Sequence, residues 1–175
     1  ARYELEMKGG DIHATGTTAW HQHDLRAYRI ASNNPVVGKT IKAAEASFSP
    51  ERIFVEGLKR DGKVLELKDG LVLEAGDVVA VSATPAILAR FSNEAETVDD
   101  RSILDVPVEA VDIQITNRSI DGRKLSDLAK EPFTRGVYIN SIKRGSLQVD
   151  IPVLPGTQVQ IGDIVSVAGT KKHTE

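Results

Sequence analysis

The stretch Leu73–Ala83, "LEAGDVVAVSA", holds a Gly-Asp pair followed by an unbroken run of small apolar residues. The chain repeats it at Val159–Gly169, "VQIGDIVSVAG". Gly supplies the turn conformation that most residues resist, and Asp accepts backbone N–H bonds at turns. The apolar run after it reads as a strand buried on both faces. Each occurrence therefore reads as a tight turn leading into a core strand, with Asp77 and Asp163 as turn formers and not catalysts.

Working outward, other landmarks recur in the same order. Gly38-Lys39 corresponds to Gly122-Arg123, and Lys59-Arg60 to Lys143-Arg144. Gly38 to Arg60 and Gly122 to Arg144 both span 22 residues, whereas Arg60 to Gly76 spans 16 and Arg144 to Gly162 spans 18. The second copy thus carries two extra residues in its bend. Around these landmarks "LRAYRI" alternates like a strand. Thr40 is placed to cap a short helix whose apolar face is Ile41, Ala44 and Ala46. Arg60-Asp61-Gly62-Lys63 reads as a hairpin turn, because Asp-Gly suits two-residue connections. "PAILARF" reads as a closing helix with Pro85 in its first turn. In the second copy "AVDIQI" is a strand, "RKLSDLAKE" a short helix ended by Pro132, "GVYINSIKRGSLQVDIPV" a hairpin and Val159–Gly169 the final strand. The fold class expected is α+β: two tandem β-α-β-β-β units with small mixed sheets and flanking short helices. The boundaries expected are 1–26 for a helix end and linker, 27–91 for the first unit, 92–108 for an acidic linker and 109–172 for the second unit. A unit of about 60 residues sits near the lower limit for an independent core, so each gains by packing on the other or on a second chain.

Composition narrows the function. Of 175 residues, 41% are hydrophobic and only 5% aromatic, so Val, Ile, Leu and Ala must fill the core. A net charge of −3 gives no basis for a general nucleic-acid surface. The chain has no cysteine, which excludes disulfides, thiol nucleophiles and thiolate metal sites and fits a cytoplasmic setting. No run of about 20 apolar residues occurs. The opening "ARYELEM" and closing "KKHTE" read as the ends of an excised fragment, so a larger parent protein is expected.

Catalytic patterns are missing. No glycine-rich phosphate loop of the GxGxxG or GxxxxGK[ST] type occurs. His21 and His23 share one side of an extended segment and His13 lies nearby, yet no further ligand stands at a characteristic spacing, so no metal is expected. Trp20 reads as an anchor for the linker. Nothing arranges Ser, His and Asp into a triad. A duplicated module without a catalytic constellation favours binding or regulation over an enzyme.

The order of motifs resembles the RCK C-terminal domain, also called the TrkA-C domain. The residues that carry the resemblance are "NPVVGKTI" before the helix, "RIFVEGLKRDGKVL" with its basic-Gly turn, and "LEAGDVVAVSA" opening the last strand. The first copy matches from about Ala27 to Phe91. The second, from about Glu109 to Lys172, keeps Gly122 and a basic residue, but Lys124 stands where the first copy has Thr40. Two such units in tandem resemble the large cytoplasmic loop of aspartate–alanine exchanger-type bacterial transporters. The resemblance implies a parent embedded in the inner membrane, with membrane-spanning segments of the same polypeptide as partners. It also implies a homodimer and a regulatory or ligand-sensing role without a cofactor. Some domains of this family bind cyclic di-AMP, so the resemblance implies a nucleotide or other anion as ligand. Arg52, Arg60, Arg135 and Arg144 are the candidate anion contacts, because guanidinium suits phosphate. The competing reading is a purely structural dimerisation module with no ligand.

Overall fold

The computed structural model describes residues 24–170. His13, His21, His23, Trp20 and the predicted N-terminal helix end lie outside those residues. The first sheet is built from β1 (Asp24–Arg29), β2 (Phe54–Arg60), β3 (Lys63–Leu65), β4 (Val78–Ala83) and β5 (Glu96–Val98), in the order β3-β2-β4-β1-β5. The second contains β6 (Val108–Gln114), β7 (Val137–Arg144), β8 (Val149–Ile151) and β9 (Ile164–Thr170), in the order β6-β9-β7-β8. Removing β5 leaves the same order in both. Each copy also carries a register shift at one place, between Val55 and Gly57 in the first and between Ile139 and Ser141 in the second.

The sheets differ from the mixed pairing expected: every strand pair is antiparallel. The reason is topological. The strands before and after each helix run the same way, but β4 inserts between β1 and β2, and β9 between β6 and β7. The parallel strands therefore never touch.

Helix α1 (Ile41–Ala46) forms where expected, with Thr40 Oγ1 accepting the Ala43 N–H at 3.2 Å. Ile41 and Ala44, three apart, turn inward. The equivalent helix α4 (Leu125–Leu128) begins after Lys124, which provides no side-chain cap, and is two residues shorter. Helix α2 (Pro85–Glu94) leaves β4 directly and lays Leu88 and Phe91 over the sheet. Tyr28 fixes it from below: its hydroxyl donates to the Leu88 carbonyl at 2.7 Å, and its ring meets Phe91 edge-on at 6.1 Å.

The predicted linker 92–108 is ordered structure. It holds the end of α2, strand β5 and helix α3 (Arg101–Leu104). Ile103 is buried against Ala27, Val78 and Ala80 on the outer face of the first sheet. Asp100 caps α3 through the Ser102 N–H at 3.0 Å and holds Lys59 Nζ at 2.8 Å. The bonds from Lys59 and Ser102 bring the Asp100 carboxyl down to about 2. The stretch is acidic because its charges cap and pair, and one isoleucine is too little to give a period.

The Gly-Asp turns are tied to the hairpins by arginine. Arg60 Nε and Nη2 meet the two Asp77 oxygens at 2.8 Å each, and Arg144 meets Asp163 at 2.7 and 2.8 Å. Asp77 is 1% exposed and Asp163 0%. Both aspartates also accept a backbone N–H three residues before them, from Glu74 at 2.8 Å and Gln160 at 2.9 Å. The same arginines donate to the carbonyls of Val72 and Gln158. Gly76 and Gly162 enter these turns at φ of 88° and 90°, which a residue with a Cβ resists. In the first unit both members of the Lys-Arg landmark are engaged: Lys59 holds Asp100 and Arg60 holds Asp77. In the second, Lys143 is exposed and Arg144 is held.

Arg60→Ala or Arg144→Ala strands a buried carboxylate and is expected to cost about 3–5 kcal/mol in urea unfolding. Asp163→Asn keeps an acceptor for the turn and should cost less. Burial raises the Asp163 carboxyl, but the Arg144 and Gln160 bonds outweigh it and the net shift is downward. A lowered carboxyl stabilises the fold fully above the ordinary carboxylate range and loses that contribution as pH falls. The urea midpoint should drop on acidification below pH ~4, and Asp163→Asn should flatten that drop.

Candidate functional site

Arg60 and Arg144, two of the four arginines proposed to contact an anion, face inward onto their aspartates. Hydrogen bonding to Asp77 and Asp163 raises both guanidinium pKa values, so these groups are structural cations. The four arginines do not converge on one cleft. Arg52 and Arg135 do come together, at the junction of the two units.

Arg135 follows a 3-10 turn (Pro132–Thr134) that leads into β7. Its Nε donates to Glu45 Oε2 at 2.9 Å, its Nη2 donates to Glu45 Oε1, and Nη2 also reaches the Val55 carbonyl at 3.2 Å. Glu45 lies at the end of α1 and accepts the Val55 N–H at 2.8 Å as well. One carboxylate thus ties a helix and a strand of the first unit to the start of β7 in the second. Burial alone lowers the Arg135 pKa, but the Glu45 bond and charge more than reverse it.

Arg52 lies in the loop between α1 and β2. Its Nη2 donates to the Thr134 carbonyl at 2.5 Å, across the junction. Its guanidinium lies 5.3 Å from the Phe54 ring centroid and 5.5 Å from that of Tyr138. Those two rings are 6.2 Å apart and tilted by 55°. Burial lowers the Arg52 pKa, and no carboxylate among the described residues forms an ion pair with it. Its Nε is buried and has no acceptor. A buried donor left in that state costs about 1–3 kcal/mol. Tyr138 completes the junction: its hydroxyl lies 3.0 Å from Ser82 Oγ, which donates to Glu56 Oε1 at 3.2 Å. Burial is the main cause that pushes the Tyr138 phenol up to about 12.

Beside this cluster an open cleft of about 950 Å³ separates the units. Glu45, Arg52 and Phe54 line one wall, and Ile113, Ile139, Val165 and Val167 line the other. The second wall is the inner face of the second sheet. In the first unit the same face is covered by α2, and Tyr28, paired with Val79, sits beneath it. In the second unit Ile113, paired with Val165, takes that place and is 45% exposed. Among the described residues no group of three or more His, Asp or Glu is placed to hold a metal ion. None of their helices is long and apolar enough to cross a membrane. What the junction can do chemically is hold charge and apolar surface side by side.

Glu45, Phe54, Ser82 and Tyr138 give no signal in the sequence. Glu45 and Arg135 are 90 residues apart, and neither belongs to a repeated landmark.

Residues 25–95 match the TrkA-C domain. The matched stretch runs from β1 through α2, four residues beyond the end expected at Phe91. An uncharacterized transporter of Shewanella oneidensis is 35% identical over 99% of this chain, which covers 33% of that protein. An uncharacterized transporter of Bradyrhizobium diazoefficiens is 34% identical over 90% of this chain and is itself covered to 30%. The chain thus spans about a third of the length of these curated relatives. The crystal structure of the GsuK RCK domain aligns with a TM-score of 0.36 at 10% identity, covering 92% of this chain and 64% of that one.

Glu45→Gln removes the charge that holds Arg135 and weakens the acceptor of the Val55 N–H. Hydrogen exchange at Val55 is expected to accelerate by about ten- to a hundredfold, as losing a charge-assisted bond worth about 1.5–3 kcal/mol implies. Amides near Asp77 should keep their protection. Unchanged exchange at Val55 would show that the junction does not depend on this pair.

Proposed function

We propose that this chain is a regulatory module of a bacterial membrane transporter, lying on the cytoplasmic face of the inner membrane. In this reading both units are TrkA-C-like, with boundaries close to 27–91 and 109–172, and the parent is of the aspartate–alanine exchanger type. The observation that carries the reading is the junction itself. Two similar units meet through the Glu45–Arg135 pair, two arginines over the Phe54 ring, the Ser82–Tyr138 contact and an open cleft, and their buried cores are separate clusters. Such a contact has more than one arrangement within reach. A ligand bound between the units shifts transport only by its differential affinity for those arrangements. The names of the relatives and the TrkA-C match support the transporter setting. A nucleotide such as cyclic di-AMP or another anion would contact Arg52; Arg60, Arg144 and Arg135 are already occupied by Asp77, Asp163 and Glu45. The module contributes binding and no chemistry of its own.

A second reading is a dimerisation element. The observation in its favour is the outer edge of β6. In the first unit β5 covers the edge of β1, whereas β6 ends its sheet with seven residues and, among the described residues, has no neighbour beyond it. An uncovered edge strand is a template for another chain.

Reconstituted parent protein separates the readings. Glu45→Gln combined with Arg135→Met should change the rate of aspartate–alanine counterflow by about threefold or more, the size of a modest coupling energy, while insertion and folding stay normal. A wild-type rate would overturn the regulatory reading. A dimer in sedimentation that persists in this variant, with transport unaltered, would favour the second.

A further inference from the structure

We propose that the cleft between the units binds an aliphatic carboxylate, with its head on Arg52 and its chain along the partly exposed Ile113 and Ile139 on the inner face of the second sheet. The proposal deepens the regulatory reading and rests on it for its biological meaning, but the binding is testable alone.

The charges decide the head group. Arg135 is neutralised by Glu45, and Arg60 and Arg144 by buried aspartates. Around the mouth Glu51 is paired with Arg90, Glu131 with Arg123 and Lys130 with Asp127. Among the described residues Arg52 is left with a carbonyl, two rings and a buried Nε that has no acceptor. One uncompensated guanidinium beside an apolar cleft matches one negative charge. A carboxylate accepts from it in the plane of the fork, as carboxylates do with arginine. Lys42 also lines the cleft as an exposed cation, so a phosphate could find charge there too, and titration with inorganic phosphate separates the two head groups.

The walls decide the body. Ile113 and Ile139 are partly exposed to the cleft, and Val165 and Val167 lie behind them, packed with Leu125 and Leu128. Phe54 is faced by Arg52 and Arg135 and Tyr138 by Arg52, which leaves the isoleucines and the exposed Phe133 as apolar surface for the ligand. A cleft of about 950 Å³ is within the range of small-molecule sites. Covering Ile113 and its neighbours would do for the second sheet what Leu88 and Phe91 do for the first.

Arg52 is also held ready. Thr134 comes from the second unit and Phe54 from the first, so the guanidinium keeps its place only while the units are together. A carboxylate bound there would favour the closed arrangement and oppose its loss.

The experiment is calorimetry and NMR on this chain with decanoate, below its micellar concentration. The comparisons are decyltrimethylammonium, acetate, inorganic phosphate and cyclic di-AMP. Decanoate should bind and shift the amides of Ile113, Val165 and Val167, while the cation of equal chain length and acetate should not. Arg52→Leu should weaken binding by about tenfold or more, as loss of a charge-assisted bond implies. Arg52→Lys should restore part of it. Ile113→Glu, at a half-exposed position where misfolding is not expected, should weaken it similarly by placing a like charge on the wall. Equal binding of the cation, or decanoate binding that survives both Arg52→Leu and Ile113→Glu, would overturn the proposal. So would tighter binding of phosphate or cyclic di-AMP, or a solution dimer that Ile113→Glu abolishes, since a second copy would then cover the wall. Transport that responds to the Glu45 and Arg135 changes with no decanoate binding would remove this ligand and leave the regulatory reading. Binding with no effect on transport would do the reverse.

Discussion

A buried arginine–aspartate pair stands at the centre of each unit. Asp77 and Asp163 are withdrawn from water, and a buried carboxylate is tolerated only when its charge and its lone pairs are met. Arg60 and Arg144 meet them with two bonds each, and a backbone N–H supplies another. The pair fixes three things at once: the end of the first hairpin strand, the Gly-Asp turn and the start of the central strand. Once β4 or β9 is placed there, antiparallel to the strands on both sides, the order of the sheet follows. The basic residue before the hairpin turn and the acidic residue of the turn are two halves of one device.

The two units share that device and differ in what surrounds it. The first sheet is covered on both faces, by α1 and α2 on one side and α3 on the other. The outer face of the second is polar: Asp112 and Ser166 pair where the first has Ala27 and Ala80. Its inner face looks across the open cleft at the first unit. The first unit is thus a closed domain, and the second keeps apolar surface next to charged groups of its neighbour. That asymmetry, and not the repeated framework, is what makes the junction a place for binding.

Much of the framework was legible in the chain. Thr40 announced α1, Arg60–Lys63 announced the hairpin, and the spacing of Gly38, Arg60 and Gly76 against Gly122, Arg144 and Gly162 announced the repeat. Those signals are local, or recur, and a turn or cap needs only a few adjacent residues. The ordered stretch 92–108 was not legible. A three-residue strand and a four-residue helix are too short to show a period, and their stability comes from β1 and from the pocket that receives Ile103. Nor was the commitment of Arg60 and Arg144 legible, because an arginine beside a turn looks the same whether it faces a ligand or a buried acid.

The sequence by itself determined the units, their helices and hairpins and the turn chemistry that starts each central strand, because those depend on backbone conformations set by neighbouring residues. Only the tertiary structure decided which strands touch, since antiparallel insertion of β4 and β9 is a choice made between distant segments. It alone decided which arginines are spent and which is left, because Glu45 finds Arg135 across 90 residues while Arg52 finds only a carbonyl and two rings. Charge is visible in a sequence; whether it is compensated depends on what the fold brings beside it.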